Sequence, residues 1–325
     1  MDKISLIKNP IEPEFREFAE LFADALTYPD GLLSQALNHI RQQAGKSMRP
    51  ILLLLLAKAF GNVTPVTQHA AVALELLHTA SLVHDDVVDE SGERRGQPSV
   101  NASYNNKVAV LVGDYILSAT LLHVSFTDNS RILNLIARLG LTLSAGEILQ
   151  LSNISCAEIS EAPYYQVIKQ KTAALFANCA AVGALSAGAD DAAVERAQQF
   201  GENVGIMFQI RDDIFDYFDS KEIGKPTGND MREGKLTLPV IYALNHRPFE
   251  SMMNLARKVK LGTINADEIA VLVEYTKQQG GIEYAEESMR RYYDAARQYV
   301  EENIKNSEIS NALIAYLDYV VNRTK

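Results

Sequence analysis

The sequence predicts an all-α fold, and three observations carry that prediction. Apolar residues recur at three-to-four spacing nearly everywhere, as in Leu74, Leu77 and Ala80, or Ile132, Leu133, Ile136, Leu139 and Leu143, which is the period of one helix face. Alternating strand patterns are scarce. Turn-forming residues gather at a few places only, leaving long periodic stretches between them.

Taken in order, the breaks fall near 28–31, 61–65, 91–98, 127–130, 161–163, 224–234 and 280–281, each rich in Gly, Pro, Asp, Asn or Ser. They leave roughly a dozen helices, several longer than average, in one helical domain over 1–325, since no Pro/Gly/Ser-rich linker divides the chain. The first segment, MDKISLIKNPIEPEF, is too acidic and too briefly apolar for a signal peptide. ILLLLLA at 51–57 stops at Lys58, too short to span a membrane. The helix over 108–124 is strongly apolar apart from Asp114. The uncharged run 172–189 is dominated by Ala, Gly, Ser and Asn, which suits a close-packed helix inside a bundle. No transmembrane segment is expected.

The chain has 325 residues, 47% hydrophobic and 22% charged, with mean hydropathy −0.08, the profile of a globular protein with ample core. Its net charge of −10 and pI near 5.2 exclude a broad nucleic-acid surface. Two cysteines, Cys156 and Cys179, give neither a metal-ligand spacing nor a disulfide framework, which fits a reducing, cytoplasmic setting.

Against that acidity stands HDDVVDESGERRG at 84–96. Asp85 and Asp89 share a helix face, and Asp86 is turned aside by about 100°. Like charges at that spacing repel, so helix stability does not favour them. Residues 212–216 repeat the pattern as DDIFD, with Asp212 and Asp216 on one face and Asp213 beside them. One such cluster is as readily a solvated face. Two on apolar helices point to hard cations, and Mg²⁺ is usually held by one or two carboxylates plus substrate phosphates. The ligand is therefore expected to be a diphosphate. Arg94 and Arg95 follow as planar forks suited to phosphate oxygens.

With GKSMRP at 45–50, LLHTASLVHDDVVD at 76–89, ERRGQPSV at 93–100, KT at 171–172, FQIRDDIFD at 208–216 and GKPTGNDMREGKLTLP at 224–239, the chain resembles the trans-type polyprenyl diphosphate synthases along nearly its whole length. The resemblance implies the isoprenoid synthase fold, a helical bundle around a central cavity. It implies about three Mg²⁺ per active site, held by Asp85, Asp86, Asp89, Asp212, Asp213 and Asp216. Arg94, Lys171 and Lys225 would complete an allylic diphosphate site. Lys46, Arg49, His78 and Arg95 would bind isopentenyl diphosphate. Thr172 and Gln209 would stabilise the allylic cation by oxygen dipoles, and Lys235, Arg323 and Lys325 would help close the site. A homodimer through central helices is also implied, with peripheral membrane contact as a route for product release.

Each basic residue has a plainer reading. Lys46 and Arg49 suit a solvated helix start, His78 a satisfied core histidine, Lys171 and Thr172 an ordinary helix interior, and GKPTGND a loop. Chain length is read at Ala80 and Ser81, both small, five and four residues before Asp85. An open floor there implies a medium or long product for a quinone side chain. The alternatives are a farnesyl or geranylgeranyl diphosphate synthase and a non-catalytic subunit of this fold. A terpene cyclase fits DDIFD and GKSMRP poorly. A di-iron protein needs a second copy of the Glu75-to-His78 spacing, which does not exist.

Overall fold

The computed structural model describes residues 3–43, 45–155, 158–218 and 227–323. Among these the protein is helical apart from one hairpin. The helices are α1 Lys3–Lys8, α2 Glu12–Ala25, α3 Gly31–Gln42, α4 Met48–Phe60, α5 Pro65–Val88, α6 Val100–Ser103, α7 Asn106–Ser125, α8 Ser130–Ser155 and α9 Glu161–Ile168. A π-helical segment, Lys169–Ala173, follows. Then come α10 Ala174–Ser186, α11 Asp191–Phe215, α12 Asn229–Arg232, α13 Leu238–His246, α14 Glu250–Lys260, α15 Ala266–Gln278, α16 Gly281–Asn303 and α17 Ser307–Asn322. The hairpin pairs β1 Glu93–Arg94 with β2 Gln97–Pro98.

The helices outnumber the dozen expected in part because α6 and α12, four residues each, are too short to carry a period of their own. Breaks at 61–65 and 127–130 lie where expected. Pro163 instead sits in the first turn of α9, where its missing N–H costs nothing. Caps set several starts. The Thr64 side chain accepts from the Thr67 N–H, the Thr67 side chain accepts from the Thr64 N–H, and Pro65 opens α5. Asn105 accepts from the Val108 N–H at the start of α7.

The chain divides into two compact units. The first comprises Met1–Leu141, Leu175–Gly201 and Tyr299–Tyr316. Its core is built on α4, whose Leu52 to Ala57 are all fully buried; each buried leucine contributes roughly 1.5–3 kcal/mol. The small residues of α10 allow close packing, for a Cβ on Gly183 would lie 2.4 Å from the Leu53 carbonyl oxygen. Both apolar runs tested above as membrane spans are thus interior helices. The second unit comprises Thr142–Ala174, Glu202–Gln298 and Leu317–Lys325.

By length and composition, two other helical stretches could cross a membrane, Asn106–Ser125 and Ser130–Ile154. Their apolar excess faces outward: Leu111 and Leu121 are 68% and 66% exposed, and Leu141 and Ile148 are 74% and 66% exposed.

Candidate active site

In the first unit, α5 ends on its aspartates. Asp85 is half-buried, Asp86 is buried and Asp89, the C-cap, is exposed. Asp86 turns to the hairpin, where Arg94 Nε donates to both of its oxygens at 2.8 Å and Arg94 Nη2 donates to Oδ1 at 2.5 Å. Asp86 is therefore neutralised by the protein itself.

The hairpin turn consists of Arg95 and Gly96 alone. Both have positive φ, 54° and 76°, the type I′ pattern that matches strand twist. A non-glycine residue in that region is strained. The strain aims Arg95 at the loop before α4: Nη1 donates to the Gln43 carbonyl at 2.7 Å. A Cβ on Gly45 would lie 2.6 Å from the guanidinium, so a side chain there would have to push the end of Arg95 aside.

Arg49, in the first turn of α4, donates from Nη1 to His78 Nε2 at 2.9 Å and stacks over the Phe176 ring at 4.7 Å. Burial first, then the charges of Arg49, Arg95 and Arg94, hold His78 well below the usual imidazole range. His78 is thus a neutral acceptor that orients Arg49. A cavity of about 300 Å³ opens here, lined among others by Gly45, Glu75, His78, Asp86, Arg94 and Arg95. Lys46 is exposed at its loop and does not line the cavity. Ala80 is fully buried, whereas half-buried Ser81 donates its hydroxyl to the His78 carbonyl at 2.9 Å.

In the second unit, Lys171 and Thr172 lie on the π-helical segment, a one-turn distortion frequent at functional sites. Two glycines let neighbouring helices close on it. A Cβ on Gly146 would meet Gln170 Cβ at 2.9 Å and Lys171 N at 3.1 Å, and one on Gly205 would meet Ala173 Cα at 2.4 Å. The ammonium of Lys171 pairs with Glu147. Thr172 Oγ1 donates to Gln209 Oε1 at 2.7 Å, Gln209 Nε2 donates to Asp213 Oδ1 at 2.8 Å, and Tyr164 Oη donates to Asp213 Oδ2 at 2.5 Å. This chain of donors borders a cavity of about 200 Å³ that Lys171, Lys235 and Asp230 also line.

Among the described residues, burial and mutual repulsion dominate the second aspartate cluster. Burial, with Asp212 and Asp216 adding to it, pushes Asp213 up to about 7. Burial raises Asp216 too, though the N–H groups of Asn229 and Asp230 donate to it at 2.8 and 3.0 Å. Asp230 is raised further, by burial and then by Asp216 and Asp213. Asp212 has a partner in Arg323, whose Nη2 donates to Oδ1 at 2.6 Å. Lys235 pairs with Glu233 at 2.7 Å. Lys225 and Lys325 lie outside the described residues.

Among the described residues, no three His, Cys, Asp or Glu side chains converge as a ready metal cage. Clusters that offer one or two carboxylates at a time, mutually repelling, still fit a divalent ion completed by phosphate and water. Glu147, Tyr164 and Asp230 were not singled out from the sequence, and neither was Glu75 as a site residue.

The sequence profile of the family described as Polyprenyl synthetase matches residues 30–276. The chain belongs to the polyprenyl synthetase family. Octaprenyl diphosphate synthase of Haemophilus influenzae is 33% identical over 318 residues, 97% of this chain and 96% of the relative. The crystal structure of a geranylgeranyl pyrophosphate synthase from Bacteroides thetaiotaomicron is 51% identical, covers 99% of this chain and 100% of its own, and superposes with a TM-score of 0.89. A polyprenyl synthase from Caulobacter crescentus, solved with calcium and isoprenyl diphosphate, is 29% identical with a TM-score of 0.92, covering 99% of this chain and 98% of its own. This polyprenyl synthetase is accordingly a prenyltransferase with the all-α isoprenoid synthase fold.

Proposed function

We propose that this polyprenyl synthetase joins an allylic diphosphate, farnesyl or geranyl, head-to-tail to isopentenyl diphosphate and repeats the step to a medium or long all-trans chain. The observation that carries the reading is the donor chain Thr172–Gln209–Asp213–Tyr164 within the second aspartate cluster, where burial raises Asp213. Curated relatives named as octaprenyl and heptaprenyl diphosphate synthases support the longer product, as do the small residues Ala80 and Ser81. The whole chain is read as one polyprenyl synthase domain.

Asp85, Asp89, Asp212, Asp213 and Asp216 would hold about three Mg²⁺, with Asp86 available once Arg94 turns to phosphate. When bound, the ions supply the positive charge that a departing diphosphate needs. Lys171, Arg94 and Lys225 add donors to the same leaving group. The Thr172 hydroxyl proton is committed to Gln209, so the lone pairs of its oxygen remain for an allylic cation. Arg49 and Arg95 hold isopentenyl diphosphate while its double bond attacks, with Lys46 reaching in from its exposed loop, and the proton then lost goes to the departing diphosphate.

The outward leucines of α7 and α8 are read as the seam of a homodimer. Their rows are interrupted by Asp114 and Ser118 on α7 and by Arg138 on α8, polar groups better suited to a protein partner than to lipid. A membrane surface for product release is the other use of this face. The buried thiol of Cys179 supports the reading of a cytoplasmic, reducing compartment.

The test is to incubate purified protein with Mg²⁺, farnesyl diphosphate and labelled isopentenyl diphosphate and to separate products by length. A ladder reaching thirty carbons or more is expected, and D85A and D212A should each lower turnover by orders of magnitude with the fold intact. Retained activity in either variant removes the metal assignment. A stop at twenty carbons transfers the protein to the geranylgeranyl class, and no condensation at all restores the non-catalytic reading.

A further inference from the structure

The cavity beside Arg49 and Arg95 contains a carboxylate where an anionic ligand is expected. Glu75 stands on α5 one turn before His78, and its Oε2 is buried with no hydrogen-bond partner among the described residues. It lines the same cavity as Gly45, His78, Arg94 and Arg95. A buried carboxylate oxygen without a donor is costly, and α2 offers it none, bringing only Phe15, Phe18, Ala19, Phe22 and Ala23 to this cavity.

We propose that Glu75 is a ligand of the isopentenyl diphosphate head group and takes up a proton as that head group binds. The inference rests on the reading of this cavity as the isopentenyl diphosphate site.

The groups facing Glu75 decide its charge. Burial pushes its carboxyl up, while the guanidinium groups of Arg49 on α4 and Arg95 on the hairpin pull it down. On its own helix His78 is neutral and Asp86 is bound by Arg94. Cys179 on α10 is pushed up to a neutral thiol, chiefly by burial. Burial outweighs the two arginines, so the carboxyl is raised on balance, and their charges alone favour the carboxylate. A diphosphate cancels their charge, the pull is lost, and the neutral acid becomes the favoured form. As an acid, Glu75 has an O–H to donate to a phosphate oxygen; as a carboxylate it would repel that oxygen. Head-group binding and protonation are linked.

Glutamine has the same shape and presents an N–H donor at every pH. Titration calorimetry of isopentenyl diphosphate into the protein, in buffers of different ionisation enthalpy between about pH 6 and 8, reads the protons exchanged. Wild-type protein is expected to take up as much as one more proton than Glu75→Gln, and its affinity to weaken with rising pH by up to about tenfold per unit more steeply. Glu75→Ala, which has no donor, should bind more weakly at every pH, and circular dichroism of both variants checks the fold.

Equal proton uptake in wild type and Glu75→Gln overturns the proposal. So does Glu75→Gln binding that is weaker by the same factor at every pH, which would make Glu75 a charged strut for the arginines. Arg95→Ala separates the two levels of inference. If it weakens binding while proton uptake stays equal, only the role of Glu75 fails; if it leaves binding unchanged, the cavity assignment fails and Glu75 with it.

Discussion

Arg323 donates from Nη2 to Asp212 Oδ1 at 2.6 Å while its guanidinium lies 3.6 Å over the Phe208 ring. A residue near the chain's end thus supplies the second aspartate cluster with a cation of its own. A divalent ion at Asp212 must displace it. R323A is expected to bind Mn²⁺ several-fold more tightly, read by titration with the paramagnetic ion. The melting temperature should fall as well, because Arg323 is only 8% exposed and its removal costs the packing on Phe208 in addition to the ion pair. Unchanged affinity would mean that Arg323 does not compete with the ion.

His78 makes the protein sensitive to acid. Its imidazole is held well below the usual range by burial, then by Arg49, Arg95 and Arg94. Below a pH of about 6.5 the unfolded chain therefore binds a proton that the native state refuses, and stability falls as pH drops. H78Q keeps an acceptor for Arg49 and cannot titrate. Its melting temperature should decline less than that of wild type between neutral pH and about 5.5; parallel curves would assign the acid loss to other groups.

Two glycines of α8 give an internally controlled experiment on the π-helical segment. G146A drives a methyl group towards Gln170 and Lys171 N, whereas at Gly140 nothing lies within 4 Å. G146A should lower kcat by about tenfold to a hundredfold through displacement of Lys171 and Thr172. G140A should be active and slightly more stable. Full activity in G146A would show that the segment tolerates the shift.

Product length is best tested at Ser81. Ala80 is fully buried, so A80F is expected to overpack the core by about 1–3 kcal/mol as well as to change the product. S81F, at a half-buried position, should shorten the ladder with less loss of stability. An unchanged ladder in S81F would remove this face of α5 from the control of chain length.

The aspartate clusters, the basic pair after α5 and the Lys171–Thr172 pair are legible in the sequence because each combines a charge pattern with a helix period. Glu147 and Tyr164 are not. Each is one polar residue on an ordinary helix face, and its importance comes only from what the fold brings opposite, Lys171 in one case and Asp213 in the other. Asp230 follows two turn formers, where burial has no periodic signal. The π-helical segment has no local cause in KQKTA; its neighbours Gly146 and Gly205 accompany it from helices distant in sequence. The outward apolar faces of α7 and α8 escaped because apolarity alone does not tell an inward face from an outward one.

The left-handed conformation of Arg95 sets two kinds of selection against each other at one residue. Glycine adopts that backbone without strain and would complete an Arg94-Gly-Gly turn, so R95G should raise the melting temperature, although a freer unfolded chain offsets part of the gain. The same change removes the guanidinium that reaches Gln43 and borders the Glu75 cavity. A library sorted for heat resistance alone should drift to glycine at 95, and one sorted for turnover should return to arginine. The first position of this two-residue turn thus marks where this enzyme has kept strain for function.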